Sequence, residues 1–178
     1  MYYGAHYKSP IGDILLASDK DNIIGLWFPE QKYMDKTMPE DIVENHDLPI
    51  LRQAIEWLDE YFAGNKPCLS KLSLAPIGGE FRQNVWKILM DIPYGGLNTY
   101  GEIARELARR MGKDRMSAQA VGGAIGHNPI SIIIPCHRVV GSNKCLTGYA
   151  GGLDIKVKLL EHEGVDMTGL FMPKKKVY

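Results

Sequence analysis

The sequence predicts a two-part α/β chain, and three observations predict it. The first 30 residues alternate short apolar runs with turn residues, residues 65–79 collect Pro67, Pro76, Gly78 and Gly79, and beyond them the apolar positions recur with the helical period. At 178 residues the chain falls between one large domain and two small ones. The break is placed at residue 79. Residues 1–79 form an N-terminal α/β domain with a small antiparallel sheet and a helix, and residues 80–178 form a mostly helical C-terminal domain.

Each element has a local reason. Tyr3–Lys8 is aromatic-rich and ends at Ser9-Pro10-Ile11-Gly12-Asp13, which is turn chemistry. Ile14–Ser18 follows, then Asp19-Lys20-Asp21-Asn22 as a second turn, then Ile23–Phe28, and connections this short predict an antiparallel meander. Residues 29–48 are polar and contain proline, so they read as a loop. From Pro49 the period changes: Leu51, Ala54/Ile55, Leu58 and Tyr61/Phe62 fall on one helical stripe, with Gly64 as its stop. In the second half, Phe81, Val85, Trp86, Ile88 and Leu89 predict a helix ending before Pro93-Tyr94-Gly95-Gly96. Thr99 with Glu102 is a capping-box pair opening Tyr100–Met111. Ser117 caps Ala118–Gly126, Asn128-Pro129 closes it, and Ile130–Ile134 is a buried run leading into Pro135. A last helix covers Asp154–Glu163 and stops at Gly164. Lys174-Lys175-Lys176 reads as a solvated tail.

Composition excludes several classes. Apolar residues make up 45% and charged residues 24%, and the mean hydropathy is −0.18, as expected of a globular protein with a real core. No stretch approaches the roughly 20 apolar residues needed to cross a bilayer, and the opening residues lack the basic cap and apolar segment of a secretory leader. Cys68, Cys136 and Cys145 are an odd set without a C-x-x-C pair, which argues against a disulfide framework or a cysteine metal site and for a reducing compartment: cytoplasm, or nucleus in a eukaryote. No cofactor or metal is expected.

The net charge of zero hides an asymmetry. Residues 1–79 carry 7 basic and 12 acidic side chains, and residues 80–178 carry 14 and 9, so the halves stand at −5 and +5. A field acts within about 10 Å at moderate salt, so a basic half can hold a polyanion while an acidic half faces away. Segment 117–126, Ser-Ala-Gln-Ala-Val-Gly-Gly-Ala-Ile-Gly, adds a second sign. Gly122 and Gly123 together oppose a helix by about 1–2 kcal/mol relative to alanine. Either this helix packs closely on a neighbour, or its face must come very near something such as a nucleic-acid backbone. It follows another helix after a short connection, as in a helix-turn-helix, with Arg105, Arg109, Arg110, Lys113 and Arg115 just before it.

Ile132-Ile133-Ile134-Pro135-Cys136-His137-Arg138-Val139-Val140 is the most informative segment. Cys68 and Cys145 read as inert, small core residues. Cys136 stands where an apolar run breaks at proline, next to an imidazole and a guanidinium, and nearby cations or a histidine base favour the nucleophilic thiolate. A carboxylate would orient His137 in the logic of a triad, with Glu161 and Glu163 as candidates. Adjacent side chains rarely bond directly, so a water would join His137 to Cys136. On this chemistry alone the electrophile is open: thiol hydrolase, acyltransferase or alkyl acceptor.

Pro135-Cys136-His137-Arg138-Val139 resembles the signature of the O6-alkylguanine–DNA alkyltransferases, the methylated-DNA–protein-cysteine methyltransferases. Phe81…Val85-Trp86, Pro93-Tyr94-Gly95, Thr99 through Ala104, Ala120 through Ala124, Asn128-Pro129, Gly148 through Gly152 and Leu159-Leu160…His162-Glu163-Gly164 match in the same order, and residues 9–28 are similar to the family's N-terminal domain. The resemblance implies a small ribonuclease-H-like sheet domain followed by a winged-helix-like domain carrying the helix-turn-helix. It implies a partner, double-stranded DNA containing O6-alkylguanine, and an irreversible single-turnover transfer of the alkyl group, from guanine O6 and from O4-alkylthymine, to the protein's own cysteine after the base flips out. A monomer suffices for it. Carried over by position, Cys136 is the acceptor, His137 the base, Glu163 its orienter, Asn128 a holder of the turn and Tyr100 a donor to guanine N3. Val139, Tyr149, Ala150 and Gly151 would contact the base, and Ala118, Gln119, Ala120, Gly122, Gly123 and Arg138 would meet DNA.

Gln119 departs from the pattern, since many relatives place there an arginine that enters the base stack. Residues 109–116 are longer than in short members. Two other functions compete with the transferase reading: a non-catalytic module for alkylated DNA, which would lack Cys136, and a DNA-binding regulator with Cys136 as sensor.

Overall fold

A computed structural model describes residues 1–174; Lys175 and Lys176 of the expected tail lie outside them. Strands β1 (Tyr2–Ser9), β2 (Gly12–Ser18) and β3 (Ile23–Trp27) form the expected meander, with Tyr3 opposite Ser18 and Ser9 opposite Gly12. β2 pairs antiparallel with β3, with a bulge at Ala17/Ser18. The segment read as a loop is more ordered than expected. It contains the one-turn helix α1 (Met34–Thr37) and strand β4 (Ile42–Glu44), which pairs parallel to β1 and completes a sheet of order β3-β2-β1-β4. A three-residue strand joined through a long connection has too little periodicity to stand out in sequence.

Helix α2 (Pro49–Phe62) starts with proline at its first position, where a missing N–H costs nothing. Ile50, Leu51, Ala54, Trp57, Leu58 and Tyr61 are its buried face, which packs on the sheet. It ends as expected: Gly64 has φ +83°, and the amides of Gly64 and Asn65 close on the carbonyls of Tyr61 and Glu60. Cys68 is exposed and not a core residue; it lies in the proline-containing connection, its carbonyl accepting from Trp57 Nε1 at 3.2 Å.

Helices α3 (Glu80–Met90), α4 (Tyr100–Arg110) and α5 (Ala118–Gly126) pack on one another, and buried Trp86 donates Nε1 to the Ala124 carbonyl at 2.9 Å. The capping box on α4 is complete: Thr99 Oγ1 accepts from the Glu102 amide and Glu102 Oε2 from the Thr99 amide, at 3.2 and 2.8 Å. Ser117 Oγ caps α5 through the Ala120 amide. β5 (Asn98–Thr99) and β6 (Val139–Val140) make a short parallel pair, and α6 (Leu153–His162) is the last helix among the described residues.

The N-terminal sheet and the helical part share one core cluster. β3 reaches across: the Leu26 amide donates to Pro129 O at 2.8 Å, and the Ser131 amide donates back to Leu26 O at 3.1 Å. The sheet edge thereby holds residues 129–131, the turn that precedes Cys136. Among the described residues no helix is long and apolar enough to cross a membrane.

Candidate active site

The turn before Cys136 is tightly folded. Ile132, a buried β-branched residue, has φ +67°, a conformation such side chains adopt only when their surroundings enforce it. Asn128, itself buried, supplies much of that constraint: its Oδ1 accepts from the Ile130 amide at 3.0 Å and its Nδ2 donates to Ile134 O at 2.8 Å. The same Nδ2 donates to Cys136 Sγ at 3.1 Å. One amide side chain therefore fixes the turn and touches the sulfur.

His137 follows on a short 3₁₀ turn (Cys136–Arg138) and is fully buried. Its Nε2 lies 2.6 Å from Glu163 Oε1, while Nδ1 has no partner among the described residues. Of the two glutamates at the end of α6, Glu161 is exposed and Glu163 is buried at the helix's C-terminal cap. Arg138, expected at the DNA surface, is turned inward. It is 7% exposed and spends its guanidinium inside, with Nε and Nη2 on the two Glu163 oxygens at 2.8 and 2.9 Å and Nη1 on Ile92 O at 2.6 Å. Burial alone would raise the Glu163 carboxyl, but hydrogen bonds from His137 and Arg138 outweigh it and hold the group ionised well below the usual carboxylate range.

Burial pushes the Cys136 thiol up, opposed by the Asn128 hydrogen bond and the nearby Lys156 charge, and burial pushes His137 down against the pull of Glu163. Both shifts favour the uncharged forms, thiol and imidazole. Moving the thiol proton to His137 would create a thiolate beside Asn128 and Lys156 and an imidazolium beside Glu163, so each charge has its counter-group in place.

An open cavity of about 560 Å³ lies beside the buried sulfur; Cys136 is not part of its wall, but Tyr100 and Tyr149, both close enough to feel the Cys136 charge, are. Tyr100, Tyr149 and Ala150 line it, as do Ala118, Gln119, Gly122 and Gly123 of α5. Tyr100 donates its hydroxyl to Thr147 O at 2.9 Å, and Tyr149, nearly buried, has a hydroxyl with no partner among the described residues. Two expected base contacts sit elsewhere. Gly151 is packed against Tyr149 and Phe28, where an added methyl would fall 2.9 and 3.0 Å from their rings, and the buried Val139 carbonyl takes the Lys156 ammonium. Ala120 is exposed on α5 but outside the cavity wall. In the basic cluster before α5, Arg109 and Arg110 form surface ion pairs with Glu106 and Asp91.

Residues 80–165 match the 6-O-methylguanine DNA methyltransferase, DNA binding domain, and residues 1–76 match the 6-O-methylguanine DNA methyltransferase, ribonuclease-like domain. The chain belongs to this methyltransferase family. A methylated-DNA–protein-cysteine methyltransferase of Methanosarcina acetivorans is 46% identical over 164 residues, which span 92% of this chain and 99% of that one. The crystal structure of the Mycobacterium tuberculosis O6-methylguanine methyltransferase superposes with a TM-score of 0.76 at 37% identity, covering 94% of this chain and 98% of that one. The structure of Mycobacterium tuberculosis OGT in complex with DNA gives 0.75 at 39% identity and 91% of each chain.

Two residues of the methyltransferase site had no place in the sequence reading. Lys156 is fully buried on α6, its Nζ bonded to the carbonyls of Val139 and Thr147; burial lowers it to about 8. Its signal was a lysine on the apolar stripe Leu153, Lys156, Leu160, the inner face of an amphipathic helix. Tyr61, on α2, donates its hydroxyl to Glu163 Oε1 at 2.7 Å, a pairing across 102 positions that no local pattern announces.

Proposed function

We propose that this chain repairs DNA by moving an alkyl group from O6 of a flipped guanine, or O4 of thymine, onto Cys136 Sγ, once per molecule. The observation that carries the assignment is the Asn128–Cys136 and His137–Glu163–Arg138 network, separated from a cavity that opens onto α5 by Tyr100 and Tyr149. The thiol proton passes to His137 Nδ1 through a water, the sulfur attacks the alkyl carbon, the C–S bond forms as the C–O6 bond breaks, and the oxygen keeps the electron pair. The departing guanine takes up one proton, replacing through solvent or from the His137 imidazolium the one that left the thiol, and Tyr100, released from Thr147 O, donates a hydrogen bond to N3 to offset the developing charge. An alkyl ether carbon is a poor electrophile, which is why a positioned thiolate is needed. Flipping costs a few kcal/mol and least for a mispaired base, giving some selection for damage.

The α5 glycines support the nucleic-acid side of this reading. A methyl on Gly123 would meet nothing within 4 Å, and one on Gly122 only the Tyr100 ring at an ordinary 3.7 Å. Packing inside the protein therefore does not ask for glycine at either position, and the remaining reason is approach by something outside. Gly123→Ala is expected to stabilise the protein by about 0.5–1 kcal/mol, read from urea unfolding, because alanine is the better helix former. The same variant should repair duplex more slowly, and a faster one would remove the glycines from the DNA face.

Gln119 can hydrogen-bond into the gap left by a flipped base but lacks the charge and planar cationic stack of arginine. Gln119→Arg should bind alkylated duplex about three- to tenfold more tightly at low salt, with a salt slope steeper by about one counterion. Equal affinities across the salt series would refute that.

The groups used in the transfer all come from one chain, which supports a monomer as the active form, and the proposed division at residue 79 would separate the sheet domain from the domain that performs the chemistry. A reducing compartment keeps the thiol available. To test the function, the protein is incubated with a duplex carrying radiolabelled O6-methylguanine. One label per chain on the Cys136 peptide, without turnover, is expected; binding without label, or repeated turnover, would overturn it.

A further inference from the structure

The exposed face of α5 does not end at the helix. Gln119, Gly122, Gly123 and Gly126 succeed one another along one side, and at Gly126 the surface continues into the N-terminal domain, where Tyr33 stacks on His127 with ring centroids 4.0 Å apart and planes 14° off parallel. Tyr33 is held at φ +65°, an uncommon conformation for an aromatic residue, retained here between the stack and the start of α1. That turn projects Lys32, which is exposed, makes no ion pair among the described residues, and carries its ammonium 4.8 Å from the Tyr33 ring centroid. The Lys32 amide also donates to Ala150 O at 3.0 Å, so its backbone is tied to the lip of the base cavity, whose wall includes Lys32 and Tyr33. Glu30 and Asp35 are the exposed acids of the same segment, and neither pairs with it.

We propose that Lys32, on the Tyr33–His127 platform, is a DNA phosphate contact supplied by the N-terminal domain, gripping the backbone beside the flipped nucleotide. It rests on the duplex-repair reading above. An otherwise acidic domain would then present Lys32, nearest the cavity lip, and Lys36, whose ammonium lies 5.7 Å from the same Tyr33 ring centroid, at the place where a duplex lying along α5 leaves the helix. The platform makes the contact directional, because the stack and the Ala150 tether fix the stem from which the ammonium reaches out. An ammonium matches phosphate as a point charge and reads no base edge, so the contact would add affinity without sequence preference.

The test uses the full-length chain and two substrates, an O6-methylguanine duplex and the free base O6-methylguanine, which has no phosphate. Lys32→Ala is expected to weaken duplex binding about three- to tenfold at low salt and to make the salt slope shallower by about one counterion. The ratio of duplex to free-base transfer rates should fall by a similar factor, and Lys32→Arg should restore it. Unchanged affinity and slope would overturn the proposal. So would an equal loss on both substrates, which would mean that Lys32 acts through Ala150 on the cavity and not on phosphate. Failure of the unaltered protein to take label from the duplex would refute the repair reading itself, independently of Lys32.

Discussion

A Cys136→Ser chain is expected to bind an alkylated duplex as the unaltered chain does and to transfer nothing, a loss of roughly 10⁴-fold or more, in the range seen when a nucleophile is deleted. The exchange replaces sulfur by oxygen in a site that is 5% exposed, and Asn128 Nδ2 can donate to either atom, so the turn keeps its constraint. What is lost is acidity. His137, which burial holds below the ordinary imidazole range, can take a proton from a thiol whose thiolate is supported by Asn128 and Lys156, but not from an alcohol several units less acidic. Quenched-flow measurement of label transfer beside an equilibrium affinity separates chemistry from binding. Transfer within tenfold of the unaltered rate would end the assignment. Label found on Cys68, which is exposed away from the cavity, or on buried Cys145, would move it.

How far the sequence speaks depends on whether the deciding contact is local. The meander announces itself because Ser9-Pro10-Ile11-Gly12 and Asp19-Lys20-Asp21-Asn22 are turns by their own chemistry, and α4 does so because Thr99 and Glu102 close a capping box three residues apart. Gly122 and Gly123 are legible in another way: they contradict the helix they occupy, and such a conflict between local preference and structure marks a functional surface. β4 and Tyr61 depend on partners far along the chain and leave no local trace. Arg138 misleads for the same reason. A basic residue in a DNA-binding half reads as a phosphate ligand until the carboxylate 25 positions later is seen to take its guanidinium. Lys156 was visible as a break in an apolar stripe, but a single lysine on a surface helix usually snorkels outward; only the carbonyls of Val139 and Thr147 draw it in.

Glu163→Gln is expected to cost about 3–5 kcal/mol of stability, because it leaves the Arg138 guanidinium buried without its counter-charge. For a chain of this size that is a fall in melting temperature of about 10 °C. The carboxylate accepts from Arg138, His137, Tyr61 and the Gly95 amide, and a neutral amide cannot serve all of them as acceptor. Its folded-state pKa is depressed, so the stability it contributes is present above the unfolded carboxylate value of about 4.3 and is lost as pH falls towards the folded one. The gap between the two proteins should therefore be full at pH 7 and narrow below about pH 4; a gap independent of pH would mean that packing, not charge, is what the substitution removes. Transfer should change its pH dependence as well. Without the carboxylate His137 is a weaker base, so transfer at neutral pH slows while the acid-limb midpoint of Cys136 alkylation, which follows His137 protonation, moves down. A merely structural role for Glu163 would lower the rate at every pH and leave that midpoint where it was.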